Sequence, residues 1–347
     1  MISKEKIPLV CICVPAYNAA GTLPATLDSI LAQTYENIVI FIMDNASTDA
    51  TPEIAGRYAA KDSRIRVFRG SVNNGAEANF TRCLQSAEGD YTAIYHSDDV
   101  YEPSIIQKQV EFLEANPGAG AVFTSAALID GEGKVTGRRK LPLPVAEGKS
   151  GVFDLREILR NLLIHGNFFV CPSAMARTSV YKNEISVWDC GGFKTSSDLD
   201  VWLRILEKHT VGIINEPLVR YRVSPASFSY RTARGITARA DLFSALDAYA
   251  QKYTNGLLSE RDMMNYEFLK FREDTRRVIS FLINNEPHAA RELARSMPFL
   301  KLLPPALASV RRLATLMIGV AAFLLALLRP GAGVRKLLYN FRFRSQA

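Results

Sequence analysis

The chain has 347 residues, enough for one large domain or two smaller ones around a sizeable core. Hydrophobic residues make up 48% of it and charged residues 22%, which excludes a disordered or fibrous chain. The net charge of +7 points to an anionic partner: a nucleotide, a nucleic acid or a membrane. Five cysteines (Cys11, Cys13, Cys83, Cys171, Cys190) form no C-x-x-C pair and are odd in number. That argues against a disulfide framework or a zinc site and for a reducing compartment. Met1 to Pro8 runs straight into an apolar segment without a signal-peptide pattern, so the expected setting is the cytoplasm.

Leu9 to Val14 is a continuous apolar run, the pattern of a strand buried on both faces. Thr22 to Gln33 carries Leu23, Leu27, Ile30 and Leu31 at helical spacing. Ile38 to Met43 reads as a second buried strand, and Thr51-Pro52-Glu53 as an N-cap, a proline at the first helical position and a first-turn acid. A third strand is expected at Ile65 to Phe68, followed by Asn73-Asn74-Gly75 and a helix through Leu84. Tyr91 to Tyr95 is the fourth strand, and it ends abruptly in His96-Ser97-Asp98-Asp99. A helix bearing Ile105, Val110, Phe112 and Leu113 precedes a fifth strand, Ala121 to Ile129.

Strands alternating with helices imply right-handed crossovers and a mainly parallel sheet flanked by helices. Parallel strands share one C-terminal edge, so Asn18, Asp44, Asn74 and the Asp98-Asp99 pair are expected along a single rim, where open α/β sheets bind ligands. Adjacent ionised acids at a strand end are costly unless a cation or several donors neutralise them. A solvated turn or a helix cap would explain the pair less specifically.

Gly131 to Gly151 reads as an excursion out of the sheet, Val152 to Ile164 as helix and Phe168 to Arg177 as extended chain. Gly191-Gly192 turns into a helix on which Ser197 and Asp200 are spaced as a capping box. Pro217 to Val223 is a late strand, and from Ile236 to about Met297 the composition is helical. No acid follows Glu292. Leu313 to Leu328 is an uncharged apolar run between arginines. It makes about 24 Å of helix, short of the roughly 30 Å hydrocarbon core of a bilayer. Beyond Pro330-Gly331, the residues Val334, Leu337, Leu338 and Phe341 form one stripe, with Arg335 and Lys336 off it. Basic residues on both sides of the run argue against a simple crossing and for an interfacial or re-entrant anchor on an anionic membrane. The alternative is a buried helix of a C-terminal bundle. An uncharged Leu-rich run has no use in nucleic-acid binding, which sets that partner aside.

Val-Pro-Ala-Tyr-Asn (14–18), Asp-Asn-Ala-Ser-Thr-Asp (44–49), Asn-Asn-Gly-Ala-Glu-Ala-Asn (73–79), Glu-Gly-Asp-Tyr (88–91) and His-Ser-Asp-Asp (96–99) follow one another in order. With Ser-Asp-Leu-Asp-Val-Trp-Leu-Arg (197–204) and Pro-Leu-Val-Arg-Tyr-Arg (217–222), the set resembles family 2 inverting glycosyltransferases of the GT-A fold. The likeness covers residues 7 to 230. It implies a nucleotide-sugar-binding half over 1–130 and an acceptor-binding half over 131–230; outside it, composition gives a helical extension over 231–297 and a basic, apolar membrane-associating tail over 298–347.

The resemblance implies that Pro15 and Tyr17 line a base pocket and that Asp44 accepts from a uracil or thymine N3–H. Asn18, Asn45, Asn74 and Gly75 would shape the donor loops, and Arg222 would reach the diphosphate. Asp98 and Asp99 would hold Mg²⁺ or Mn²⁺, with Asp98 also at the donor. Many members carry an acid where His96 stands, so His96 is either a neutral ligand or a packed strand-end residue. Asp198 would be the base, although the family's Glu-Asp is Ser197-Asp198 here; a helix-terminus acid is its bland reading. The implied activity moves a sugar from a UDP- or dTDP-sugar to a hydroxyl of a glycan or lipid-linked saccharide in surface polysaccharide assembly. It would take place at the cytoplasmic face of the membrane. A nucleotidyltransferase would need a glycine-rich, basic loop where Pro-Ala-Tyr-Asn stands, and a non-catalytic sugar-nucleotide binder is the other rival.

Overall fold

The computed structural model describes residues 7–189, 192, 193, 195–223, 237–328 and 330–344. They fall into two compact units, one of Met1–Ile158 with Asn167–Ser227 and one of Leu159–Gly166 with Phe228–Ala347. Cys190, Gly191, Lys194, Ser224 and Arg329 lie outside the described residues.

The first unit is built on strands β1 (Val10–Ala16), β2 (Ile38–Asp44), β3 (Ile65–Arg69) and β4 (Tyr91–Ile94). They alternate with helices α1 (Leu23–Leu31), α2 (Thr51–Ala59) and α3 (Ala76–Ser86). β1 pairs parallel with β2 and β4, and β2 pairs parallel with β3. Every residue of β2, and all of β1 except the half-buried Pro15, is buried, as a strand covered on both faces requires. Leu23, Thr26, Leu27 and Ile30 form the inner stripe of α1. Thr51 is helical rather than the expected cap. Its buried hydroxyl accepts from the Ala19 N–H at 2.8 Å and so ties the loop after β1 to α2.

The remaining strands are β5 (Val100–Tyr101), β6 (Ala119–Ile129), β7 (Val135–Arg139), β8 (Ser150–Phe153), β9 (Met175–Arg177) and β10 (Thr210–Arg222). The order across the sheet is β3-β2-β1-β4-β9-β6-β10-β5, with β7 on β6 and β8 on β10. Helices α4 (Ile105–Ala115), α5 (Leu155–His165) and α6 (Ser197–Leu206) complete the strand connections.

Three expectations are corrected here. Residues 131–151 leave the sheet only in part: 135–139 pair back on β6 as β7 and the segment ends in β8 on β10, both antiparallel, while 140–149 form no strand. The segment 168–177 is not extended throughout, since Cys171–Ser173 is a 3₁₀ turn before β9 inserts antiparallel between β4 and β6. Ser197 and Asp200 form no capping box, because Ser196 occupies the N-cap without a side-chain bond. The Asp200 carboxylate instead accepts from Arg204 Nε at 2.8 Å, and Arg204 reaches the carbonyls of Ile185, Val187 and Trp188.

The second unit contains α7 (Asp241–Tyr253), α8 (Glu260–Ile283), α9 (Pro287–Ser296), α10 (Phe299–Leu307), α11 (Val310–Leu328) and α12 (Ala332–Arg344). A capping box starts α8, with Ser259 and Asp262 exchanging side-chain-to-backbone bonds. One apolar cluster runs from Phe268 through Leu282, Ala294 and Leu302 to Leu316 and Ala326. Gly319 lets α11 approach α8 closely: a Cβ there would lie 2.3 Å from the Phe271 ring. On α11 only Leu316, Gly319, Ala322 and Ala326 are buried. Val310, Leu313, Met317, Ile318, Leu324, Leu327 and Leu328 face outward and are exposed. On α12, Leu338 packs against the cluster while Val334 and Leu337 are exposed. The Phe341 side chain lies outside the described residues.

Candidate active site

The C-terminal ends of the parallel strands are stitched into one rim by asparagine side chains. Asn18, at φ +49°, accepts the Thr48 N–H on Oδ1 at 2.9 Å, and its own N–H donates to Ser47 Oγ. Asn45 Nδ2 donates to Asn73 Oδ1 (2.8 Å) and the Gly75 carbonyl (2.9 Å), while its Oδ1 accepts the Asn74 N–H. Gly75 precedes α3 at φ +89°, a conformation that a side chain would strain. These rim residues therefore fix the loops against each other. Tyr17 projects from the same rim, 48% exposed.

Asp44 is fully buried. Its Oδ1 accepts the Ser47 N–H, three residues on, at 3.1 Å. Its Oδ2 has no hydrogen-bond partner, and Arg69 Nε lies 3.5 Å away. The Arg69 side chain is itself 61% exposed and so is free to move.

His96, Asp98 and Asp99 bring one ligand atom each to within 4.8 Å of one another. The loop that carries them is held from three sides. Thr26 on α1 donates to the Asp99 carbonyl at 2.7 Å, the Tyr101 hydroxyl accepts the His96 N–H at 2.7 Å, and Tyr101 stacks on Tyr95. Asp99 is fully buried: Oδ1 accepts the Arg222 N–H at 2.7 Å, and Oδ2 has no partner. Burial and the Asp98 charge push the Asp99 carboxyl above its ordinary range, against the opposing pull of Arg222. Burial lowers the His96 pKa, keeping the imidazole neutral. Its ring packs edge-on against Phe80 at 5.6 Å, and its Nε2 is buried without a partner. The sequence left His96 between ligand and packing residue, and the geometry gives it both neighbours.

Asp99 Oδ2 and His96 Nε2 are both buried without hydrogen-bond partners beside a second carboxylate, and a cation would satisfy such atoms. The donor set of two carboxylates and an imidazole fits a divalent metal.

Arg222 on β10 acts as a staple. Nε donates to the Asp98 carbonyl (2.8 Å) and Nη1 to the carbonyls of Asp130 and Gly131 (2.9 Å each). Three charge-assisted bonds hold the acid loop to the end of β6. Arg222→Gln is therefore expected to cost about 3 kcal/mol of stability, read from denaturant unfolding, because three charge-assisted bonds are lost together.

Asp198 sits in the first turn of α6, half-buried. Burial pushes its carboxyl up, opposed by the Leu199 N–H, the Asn167 amide and the Arg139 charge. Asn167 Nδ2 donates to Asp198 Oδ2 at 3.4 Å, while Asn167 Oδ1 accepts the Phe169 N–H at 3.1 Å, which sets the orientation of the amide. Arg139 on β7 donates to the Asn167 carbonyl at 2.8 Å. Burial, and after it the charges of Asp198 and Asp99, push the Cys171 thiol pKa up. The sequence offered no local signal for Arg69, Arg139 or Asn167, whose roles arise only from long-range contacts.

Polar loops and an acid cluster at the C-terminal edge of parallel strands form the kind of rim at which open α/β sheets bind ligands. The family description "Glycosyl transferase family 2" matches residues 11–184, half of the chain. Two Bacillus subtilis proteins are similar in sequence. EpsE, named as a glycosyltransferase, is 32% identical over 65% of this chain and 77% of its own length. TuaG, named as a teichuronic acid biosynthesis glycosyltransferase, is 30% identical over 64% of this chain and 82% of its own. Among solved structures, Staphylococcus aureus TarS 1–349 in complex with UDP-GlcNAc superposes with a TM-score of 0.55 at 15% identity, over 96% of this chain and 91% of that one, a likeness of fold. The chain belongs to glycosyl transferase family 2, and its activity is glycosyl transfer.

Proposed function

We propose that this protein is a metal-dependent, inverting glycosyltransferase that moves a sugar from a UDP- or dTDP-sugar to a hydroxyl of a glycan or lipid-linked saccharide. Residues 1–130 take the donor and 131–230 the acceptor. The observation that carries this reading is the His96-Asp98-Asp99 cluster, with its buried unpartnered atoms, at the C-terminal rim of the parallel strands. Asp98 and Asp99 would hold Mg²⁺ or Mn²⁺, with His96 as a neutral third ligand. A divalent cation bound there neutralises the diphosphate of the departing nucleotide.

Inversion takes a single displacement. The acceptor hydroxyl gives its proton to Asp198, its oxygen bonds to the anomeric carbon, and the bond from that carbon to the diphosphate oxygen breaks, its electron pair leaving with the nucleoside diphosphate. Asn167 orients the Asp198 carboxylate and Arg139 supports it. Pro15 and Tyr17 flank the base, and Asp44 Oδ2 accepts from its N3–H once the Arg69 side chain swings aside. Asn18, Asn45, Asn74 and Gly75 keep the donor loops in register. Arg222 serves the donor indirectly, since its Nε and Nη1 hold the acid loop. Calorimetric titration with nucleoside diphosphates and Mn²⁺ tests the assignment: UDP or dTDP binds and GDP does not. Equal binding with chelator present would remove the metal from it.

The similarity to TuaG supports a role in surface polysaccharide assembly, and the exposed apolar stripe of α11 supports a peripheral or monotopic position on the cytoplasmic face of the membrane. With one face of α11 packed in the helical unit over 231–297 and the other apolar and outward, the tail (298–347) lies in the interface plane. Deleting it would open the core that contains Leu316 and Ala326, so point changes are the cleaner test. Met317→Glu with Leu324→Glu is expected to lower membrane binding at least about tenfold in vesicle flotation.

A further inference from the structure

The helical unit holds a second concentration of charge that glycosyl transfer does not use. A cavity of about 200 Å³ opens beside the first turns of α11, lined by Asn265, Arg272, Ser309, Arg311, Arg312 and Thr315. Among the described residues no carboxylate lines it. Of the nearby acids on α8, Glu267 pairs with Lys270 and Lys301 and Asp274 with Arg277, while Glu273 lies 4.0 Å from Arg276 and partly offsets the charge at Arg272.

The three guanidinium groups differ in how they are held, and Arg311 is exposed at the mouth. Arg312 lies over the Phe268 ring at 5.3 Å and donates to the Asn265 side-chain oxygen. The Nε of Arg272 is buried without a hydrogen-bond partner. Burial and the charges of Arg276 and Arg311 push the Arg272 pKa down, and burial with Arg311 and Arg272 does the same to His165. Cations that face one another in this way are stabilised by an anion, and the planar guanidinium fork matches phosphate.

The surroundings say which phosphate. The exposed stripe Val310, Leu313, Met317, Ile318, Leu324 and Leu327 begins beside the cavity. A phosphate joined to hydrocarbon satisfies both features, whereas a free nucleotide or inorganic phosphate leaves the stripe uncovered. We propose that this cavity binds the phosphate of a membrane lipid, whose hydrocarbon chain lies against the exposed face of α11. The proposal rests on the membrane position argued above and adds a defined site to it.

Flotation of the full chain with phosphatidylcholine vesicles, with and without phosphatidylglycerol, tests it. Arg272→Gln with Arg311→Gln is expected to weaken binding to phosphatidylglycerol vesicles at least about tenfold. Arg261→Gln with Arg295→Gln removes the same charge outside the cavity and is expected to cost less than about threefold. Equal losses in the two pairs overturn the site in favour of diffuse surface charge. Helical circular dichroism and a melting curve like those of the unmodified protein report that the helical unit of each variant is folded. If the double variant does not fold, Arg311→Gln alone, at an exposed position, carries the test with an expected loss of about threefold. Inorganic pyrophosphate that displaces the protein from vesicles at stoichiometric concentration overturns the lipid assignment. Failure of the unmodified protein to float with any vesicle overturns the membrane reading instead, and the two failures are thereby distinguished.

Discussion

Asp198→Asn is expected to lower glycosyl transfer by about 10²- to 10⁴-fold, the span that a positioned general base contributes. The substitution is nearly isosteric. An asparagine oxygen can still accept from Asn167 Nδ2 and from the Leu199 N–H, so α6 keeps its first turn and nucleotide binding is unchanged. What disappears is the proton acceptor. The rate against pH checks the same point independently. Burial raises the Asp198 pKa, and the base works only when ionised. Activity therefore falls as pH drops through a value above the ordinary carboxylate pKa of about 4. Asn167→Ala removes an opposing hydrogen bond, so that fall moves to higher pH. A fully active Asp198→Asn enzyme would reduce Asp198 to an acid that complements the helix dipole.

The second large effect concerns Asp99→Asn. Its amide oxygen can accept the Arg222 N–H as Oδ1 does now, so the shape of the loop survives. A buried carboxylate oxygen without a partner is costly in the absence of a cation. The metal-free variant is therefore expected to melt no lower than the unmodified protein. With Mn²⁺ and UDP the order reverses: the unmodified protein gains about 2.7 kcal/mol at ligand concentrations near 100 times Kd, and the variant gains almost none. Loss of metal affinity should exceed the roughly 10- to 100-fold worth of a supporting residue. Melting curves in the presence of chelator, Mn²⁺, and Mn²⁺ with UDP read all of this. A variant destabilised under every condition would make Asp99 a purely structural acid.

The first half of the sheet was legible because its strands announce themselves. β1 and β2 are buried on both faces, and uninterrupted apolar runs such as Cys11 to Val14 and Ile38 to Met43 have the length of strands and are too short for buried helices. Parallel pairing then places Asn18, Asp44, Asn74 and Asp98 on one edge by topology alone. The second half was less legible. β9 is three residues long and too short to show a period. β7 reads Val-Thr-Gly-Arg-Arg and is largely exposed, so nothing marks it as sheet. Only pairing with β6 makes it a strand, and that pairing is a contact across the chain.

The capping box at Ser197 failed for a related reason. Its spacing is correct, but Asp200 has a better partner in Arg204 four residues on, where a charge-assisted bond outweighs a cap. The apolar run of the tail could be read as anchor or core because it serves as both: Gly319 and Ala322 suit close packing, while Met317 and Leu324 point away. Composition alone does not separate two faces of one helix when both are apolar.

The measurement that bears most directly on metal-dependent inversion needs no acceptor. Slow hydrolysis of an α-linked UDP- or dTDP-sugar can be followed by NMR at the anomeric proton, with Mn²⁺ or with chelator. A single displacement gives the β-sugar first, before mutarotation, and no release once the metal is removed. First formation of the α-sugar, or release that chelator leaves untouched, would contradict it.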